Sequence, residues 1–177
     1  YLQSEATFTI RAEAVFDTPE RRPNGQCESS EVWARQLGIL ADRFHPLVPN
    51  HAQRVAALSG AIAREIGWGT GEVEAVVCAA LLAEVGRIAL PAPLVFRLGG
   101  FTEHERALLR AYPALSKQIL RPIQHYTSVF RAAVTHRETL DGCGYPEGFA
   151  GAEIPSGGRI IAVADTFLAL TSASPER

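Results

Sequence analysis

Apolar side chains recur at intervals of three and four residues from Ser29 onward, which is the spacing of one face of an α-helix. Pairs of prolines or glycines interrupt this pattern and mark helix ends. The segment from Thr70 to Leu82 is apolar nearly all round, as expected for a helix buried on every side. The sequence therefore predicts an all-α bundle of six to eight helices. The interruptions are Pro46 and Pro49, Gly67 and Gly69, Pro91 and Pro93, and Gly99 and Gly100.

Individual helices carry more specific expectations. Asn50 with Gln53, and Thr102 with Glu105, are both typical of a capping box at a helix start. The last helix is expected to begin near Pro155. The predicted buried stripes are Val32, Trp33, Leu37, Leu40 and Phe44 in the first helix, Val55, Leu58, Ile62 and Ile66 in the second, and Ile160, Val163, Phe167 and Leu170 in the last.

The first 28 residues differ from the rest of the chain. Apolar and polar residues alternate between Phe8 and Phe16, a pattern suited to a short strand, before prolines and glycine break any regular structure. We interpret residues 1–28 as an arm or linker from an upstream domain, and a disordered tail accounts for them equally well. Residues 29–177 are then one domain. A chain that begins with Tyr and contains no Met is expected to be a piece of a longer protein.

Composition narrows the class of protein. With 177 residues, of which 47% are hydrophobic, the chain can bury the core of one globular domain. A net charge of −2 argues against a general nucleic-acid binder. No apolar run is long enough to span a membrane. The three cysteines show no close pair, so no disulfide framework is expected and a cytoplasmic location is predicted.

Residues 139–157 contain five glycines and two prolines, which predicts one long ordered loop. The loop includes Gly144-Tyr145-Pro146, and Arg159-Ile160-Ile161-Ala162-Val163-Ala164-Asp165 follows it. This combination resembles the HD-GYP family, whose members hydrolyse cyclic di-GMP at a cluster of metal ions. The resemblance covers roughly residues 45–177. It implies a helical bundle of the HD superfamily with a long GYP loop.

The resemblance also implies positions for metal ligands, and these are only partly filled. His51, Glu84, His136 and Asp165 keep side chains that can bind a metal. Where the family has its His-Asp pair, this chain has Ala83-Glu84. Further family ligand positions hold Leu47, Tyr112, Arg137 and Leu168. We therefore expect a vestigial site with no tightly bound metal, or at most one iron or manganese ion held by His51, Glu84 and Asp165.

Arg137 brings a permanent positive charge to a position where the family has a metal-binding histidine. Its guanidinium is expected within hydrogen-bonding reach of Glu84, Asp165 or Asp141. Glu84 and Arg87, three residues apart, are expected to form an ion pair. If Asp165 is buried it needs a partner, and Arg87, Arg137 and Arg159 are the candidates. Arg137 would then occupy the place of a missing cation.

The loop residues Asp141, Gly144, Tyr145 and Pro146 form a candidate ligand or partner surface together with Arg87, Arg137 and Arg159. In the family, this loop is linked to substrate recognition and to protein partners. The alternative is purely structural, because glycines permit unusual backbone angles and Pro146 stiffens the turn. In that case the loop simply covers the helices.

Three interpretations of function remain open. The first is a degenerate, catalytically inactive HD-GYP domain that acts as a regulatory or protein-interaction module in cyclic di-GMP signalling. The second is a residual cyclic di-GMP phosphodiesterase with a reduced, single-metal site. The third is a structural or homodimerising helical domain that binds no nucleotide.

Overall fold

The computed structural model describes residues 28–45, 49–97, 99–123 and 127–171. These residues form eight α-helices and contain no strand, so the predicted all-α bundle is confirmed. Short 3₁₀ turns lie at Val85–Ala89, Arg121–Ile123 and Gly151–Glu153. The helices are α1 Glu28–Asp42, α2 His51–Glu65, α3 Thr70–Leu82, α4 Ala92–Val95, α5 Glu103–Arg110, α6 Tyr112–Ile119, α7 Thr127–Val134 and α8 Ser156–Thr171.

Helix α3 is the centre of the core, as its all-round apolar sequence predicts. It packs against α1, α2, α7 and α8. Leu81 and Leu82 at its C-terminal end are almost completely buried, and Ile161 of α8 lies in the same core cluster. Burial of this kind is the main favourable contribution to folding. The residues that follow Leu82 therefore lie directly against the centre of the core.

One predicted cap is confirmed and the other is wrong. Thr102 Oγ1 accepts a hydrogen bond from the Glu105 amide at 3.3 Å, and Glu105 Oε2 accepts one from the Thr102 amide at 2.8 Å. Asn50 instead has a left-handed backbone, with φ at 55°, and its side chain makes no cap hydrogen bond. Asp42 Oδ1 accepts from the Ala52 amide at 2.8 Å and so caps α2 from the end of α1.

Several residues of the predicted buried stripes are exposed. Helix α8 is apolar on nearly all sides, so its periodicity cannot identify the inward face. The structure buries Ile161, Ala164 and Leu168 in place of three of the residues expected there. The prediction is wrong for Val32, Leu40, Ile66, Val163, Phe167 and Leu170.

The turn after α3 is fixed tightly against α6. Ser116 is completely buried, accepts from the Gly86 amide at 2.8 Å and donates to the Ala83 carbonyl at 3.1 Å. A methyl group on Gly86 would overlap the backbone oxygen of Tyr112. Only glycine permits this approach, which holds Glu84 and Arg87 at fixed positions.

No α-helix occurs between Val134 and Ser156, and this segment contains all but the last two residues of the GYP loop predicted at 139–157, which begin α8 instead. The buried carboxylate of Glu138 organises it, accepting from the Glu147 amide at 2.7 Å and from the Phe149 amide at 3.1 Å. A side chain on Gly144 would overlap the backbone of Glu138. Lys117 on α6 pairs with the Glu147 carboxylate at 2.5 Å. The peptide bond between Tyr145 and Pro146 is cis.

Some expectations concern residues outside the described ranges. These expectations concern residues 1–27 of the predicted arm and Leu47. Within the described ranges, no helix combines the length and the apolar character needed to cross a lipid bilayer.

Candidate functional site

The four residues that retain metal-binding side chains converge on one cavity. His51 begins α2, Glu84 follows α3, His136 follows α7 and Asp165 lies in α8. All four line a cavity of about 10 Å³, together with Ala83. That volume is about the minimum for one water molecule or one small ion. The folded chain therefore brings the predicted residues together, but around very little space.

Arg137 lies beside this cavity, against Asp165 and Glu84. Its Nη2 atom lies 2.7 Å from Asp165 Oδ2 and 3.3 Å from Glu84 Oε1. The predicted contact with Glu84 and Asp165 is confirmed. The proposed alternative partner Asp141 is wrong, because that exposed carboxylate accepts from the Thr139 hydroxyl at 2.6 Å and from the Cys143 amide at 3.0 Å.

Arg87 is the second guanidinium at this site, and its predicted ion pair with Glu84 is confirmed. Arg87 Nε lies 2.9 Å from Glu84 Oε2, while the guanidinium carbon sits 4.8 Å from the centre of the Tyr112 ring. Burial alone would raise the pKa of Glu84. The positive charge of Arg87, together with His51 and Arg137, outweighs burial and holds that pKa well below its usual range. Glu84 is therefore a carboxylate at neutral pH.

Tyr112 links Arg137 to His136 through a directed chain of hydrogen bonds. Arg137 Nε donates to the Tyr112 hydroxyl oxygen at 2.6 Å, and that hydroxyl lies 2.8 Å from His136 Nε2. His136 Nδ1 lies 2.7 Å from the Ala133 carbonyl. Every group is satisfied if His136 is neutral, donates from Nδ1 and accepts at Nε2. Burial, and then the Arg137 charge, lower the pKa of His136 to about 4. The Nε2 lone pair is thus already used.

His45 belongs to this site, although the motif positions did not indicate it. Its ring stacks on that of His51 with centroids 4.2 Å apart, and its Nε2 atom lies 3.6 Å from Glu84 Oε2. Burial lowers its pKa to about 4, so the imidazole is neutral at physiological pH. His45 lies six residues before His51, and no sequence pattern predicts that their rings stack. Its one sequence signal was the presence of another histidine close to the motif.

His51 and Asp165 form the remaining pair, with Nε2 and Oδ1 2.8 Å apart. Burial would lower the pKa of His51, but Asp165 and Glu84 raise it by more. Burial would raise the pKa of Asp165, but His51 and Arg137 lower it by more. The contact is short but poorly directed, because neither ring nitrogen of His51 makes a well-aligned hydrogen bond with a described residue.

The candidate loop residues lie apart from this cavity. Arg159 is exposed at the start of α8, and its guanidinium donates to Ser156 Oγ at 3.3 Å, so Arg137 rather than Arg159 pairs with Asp165. Tyr145 and Pro146 are half-buried. The Tyr145 amide donates to the Arg137 carbonyl at 3.2 Å, which joins the GYP loop to the site through the backbone.

Comparison with known proteins decides the family. Residues 36–177 match the family model described as an HD domain. The response regulator RpfG of Xanthomonas campestris, a cyclic di-GMP phosphodiesterase, is 36% identical over 125 residues, which are 70% of this chain and 33% of that protein. The chain belongs to the HD-GYP family of HD domains. A 3′3′-cGAMP-specific phosphodiesterase of Vibrio cholerae is 35% identical over 144 residues, 81% of this chain and 33% of that protein.

A further curated protein and one solved structure are also similar to this chain. A cyclic di-GMP phosphodiesterase of Thermotoga maritima is 36% identical over 143 residues, 78% of this chain and 38% of that protein. The solved HDG"Y"P protein Bd1817 of Bdellovibrio bacteriovorus superposes with a TM-score of 0.64 at 20% identity, over 90% of this chain and 56% of that one. The last likeness shows the fold alone. This chain spans about a third of the length of its curated relatives.

The HD-GYP family implies a cluster of metal ions, and the side chains present do not fit two or three of them. The cavity has room for about one ion. Arg137 already neutralises Asp165, and Tyr112 already uses the His136 lone pair. Ligand atoms of His45, His51 and Glu84 lie within 4.8 Å of one another, which is close enough for one ion, although His51 Nε2 also lies 2.8 Å from Asp165 Oδ1.

Proposed function

We propose that this chain is a degenerate HD-GYP domain that does not hydrolyse cyclic dinucleotides and acts as a regulatory or protein-interaction module. The observation that carries this proposal is the position of Arg137, 2.7 Å from Asp165 and 3.3 Å from Glu84. Two metal ions about 3.5–4 Å apart would supply an activated water and neutralise charge on the phosphodiester. A guanidinium supplies positive charge but no metal-bound water, so it preserves the charge balance of the site without its chemistry.

The GYP loop supports an interaction role. Its backbone is held by Glu138, and Lys117 fixes it to α6, so the loop presents a defined surface. Leu140 and Cys143 on this segment are exposed. An ordered surface loses little conformational entropy when a partner binds. We therefore propose the loop as the contact for a signalling protein or for cyclic di-GMP.

Hydrolysis is the first test. The tag-free domain is incubated with cyclic di-GMP or 3′3′-cGAMP and with manganese or iron, and the products are separated by chromatography. Both nucleotides are expected to remain intact. Turnover that disappears in Asp165→Ala would overturn the proposal.

A matched variant tests the reason for inactivity. Ala83→His, Glu84→Asp, Tyr112→His and Arg137→His together restore the family residues at four positions. The combined variant is expected to bind more metal than any single variant, because ligands of one cluster act jointly. Equal metal binding by one of the single variants would show that Arg137 and Tyr112 are not jointly responsible for the loss.

One observation favours the second candidate, a residual single-metal phosphodiesterase: His45, His51 and Glu84 could hold one ion. The hydrolysis assay decides between the two. Calorimetric titration with cyclic di-GMP separates a nucleotide-responsive module from a structural domain, and sedimentation equilibrium measures whether the chain forms a homodimer.

A further inference from the structure

We infer that a second cavity, at the N-terminal end of α3, binds a flat, uncharged heteroaromatic molecule that carries an amino group. The cavity has a volume of about 430 Å³, which is within the range of about 300–1,000 Å³ for small-molecule sites. The cavity beside Glu84 has only about 10 Å³. The inference does not depend on the proposed function, because none of the residues that line the second cavity occupies a metal-ligand position of the motif.

The two cavities lie at opposite ends of α3. Gly71 and Glu72 line the second cavity, whereas Ala80 lines the first. Because an α-helix rises about 1.5 Å per residue, Glu72 and Ala80 are about 12 Å apart along its axis. A methyl group on Gly157 would lie 2.9 Å from the Cβ of Ala132, so α7 and α8 approach closely where they form one wall. A ligand here therefore contacts three helices of the core without touching the motif site.

Trp68 provides an aromatic surface in this cavity. Its side chain is half-buried and packs against the main core cluster, so the ring has a defined position. Ala75 and Val76 add apolar surface beside it. An indole ring attracts other aromatic rings, and it stacks on any nucleic-acid base because every base has an aromatic face. The apolar part of the ligand is therefore a flat ring system.

The charges around the cavity largely balance. Among the described residues that line it, Glu72 is the one ionisable side chain, and its Oε2 atom accepts a hydrogen bond from the Gly69 amide at 3.0 Å. Residues from the first turns of α3, α7 and α8 also line the cavity. Each helix start carries about half an elementary positive charge. Together these partial charges offset the carboxylate, so the cavity favours an uncharged ligand over a phosphate or an ammonium ion.

Hydrogen bonding defines the polar edge of the ligand. A carboxylate accepts and cannot donate, so Glu72 requires an N–H or O–H donor. The amino group of an aromatic ring is such a donor, as in the pairing of Glu and Asp side chains with cytosine. The hydroxyls of Ser128 and Ser156 donate as well as accept, and therefore suit ring nitrogens. The ligand class is an aminated nitrogen heterocycle, of which adenosine is a soluble example.

Adenosine and purine riboside are the probes, because purine riboside lacks only the amino group. Binding to the isotope-labelled, tag-free domain is followed by NMR from the shift of the Trp68 indole N–H. Adenosine is expected to saturate with a dissociation constant of about 0.1 mM, an ordinary affinity for a ligand of its size. Purine riboside should bind about tenfold more weakly, since it loses a hydrogen bond to a charged group. AMP should bind no more tightly than adenosine, because none of the described lining residues is Lys or Arg.

Three variants make the assignment specific, with folding checked by circular dichroism. Glu72→Gln keeps an acceptor for the Gly69 amide but loses the charge, because Gln also serves at this position of a helix cap. It should weaken adenosine about tenfold and purine riboside by less than about twofold. Ala75→Leu fills the cavity and should weaken both ligands about tenfold. Glu74→Gln is the matched control, since Glu74 is exposed on the same helix and does not line the cavity.

Four results would each overturn the assignment. They are an absence of saturable adenosine binding, shifts confined to residues around Glu84, equal affinity for adenosine and purine riboside, and a loss in Glu74→Gln as large as that in Glu72→Gln. Tighter binding of AMP or of inorganic phosphate than of adenosine would also contradict it, because the helix starts would then form an anion site.

Discussion

At the scale of single residues, two arginines form ion pairs with the buried carboxylates of the candidate site. A buried carboxylate without a partner is costly, whereas a charge-assisted hydrogen bond from a guanidinium is strong and directional. Arg137 donates hydrogen bonds to Tyr112 and Glu84 and forms an ion pair with Asp165 at 2.7 Å, so one side chain contacts three polar groups.

Arg137→Ala should therefore destabilise the domain clearly. Removing one partner of a fully buried ion pair costs about 3–5 kcal/mol. Because the Arg137 side chain is 28% exposed, we expect a loss of about 2–3 kcal/mol in the free energy of unfolding, measured with urea. The exposed Arg159→Ala control should change it by less than about 0.5 kcal/mol. Equal effects would show that the Arg137 contacts are not stabilising.

Tyr112→Phe tests the hydrogen-bond chain. The change leaves His136 Nε2 and Arg137 Nε without their partner while keeping the ring. Leaving buried polar groups unpaired costs about 1–3 kcal/mol. Tyr145→Phe in the GYP loop is the matched control and should cost less. If both variants unfold at the same urea concentration as the unchanged protein, the chain from Arg137 to His136 contributes nothing to stability.

At the scale of elements, glycine sets how closely the GYP loop approaches the rest of the domain. A side chain on Gly144 would overlap backbone atoms of Glu138 and Thr139, which cannot move aside as a flexible side chain can. The loop and the residue that organises it are therefore in direct contact.

Gly144→Ala should destabilise the domain or expose the loop to proteolysis, because the added methyl group forces the backbone apart. Gly71→Ala is the matched control. Gly71 lies in the first turn of α3 with open space around it, and alanine there should stabilise by up to about 1 kcal/mol. Limited proteolysis and urea unfolding measure both effects. Changes of the same sign in the two variants would contradict the proposed packing of the loop.

The elements also show where sequence patterns are sufficient. The Thr102 cap was predictable because its partners are neighbours in sequence. The cap of α2 was not, because Asp42 comes from another helix. Periodicity identified α8 but not its buried face. Phe167 and Leu168 are both apolar, and the packing of α2, α3 and α7 against α8 decides which of them is buried.

At the scale of the whole molecule, the motif positions predicted that His51 and Glu84 would lie close together. They did not predict that His45 would also lie close to Glu84. The motif specifies residues with a shared chemical role. The contacts of Arg137 with Glu84 and Asp165 were predictable because its charge had to be neutralised. His45 lies at the site because of tertiary packing, and no local sequence pattern specifies that packing.

The stability of the whole domain should depend on pH in a defined window. His136 has a pKa of about 4 in the folded protein, below its ordinary value of 6.5, so the unfolded chain binds its proton more readily. The free energy of unfolding should therefore fall as the pH drops from 6.5 to about 4, by up to about 3 kcal/mol from this residue. His45 acts in the same direction. Urea unfolding at several pH values measures the slope.

His136→Gln is the control for this dependence, since glutamine does not titrate in the same window. The variant should show a shallower loss of stability between pH 6.5 and 4 than the unchanged protein. An identical slope would assign the acid sensitivity to other groups and contradict the neutral, hydrogen-bonded state of His136.

Because the Arg137 guanidinium neutralises Asp165, this part of the site does not depend on an ion that is taken up after folding. A metal ion must be acquired after synthesis, competes with other ions and can be removed by a chelator. Arg137 arrives with the polypeptide, in a ratio of one per chain, and remains charged at every physiological pH. The half of the site around Asp165 is therefore complete as soon as the chain has folded, whatever the supply of iron or manganese.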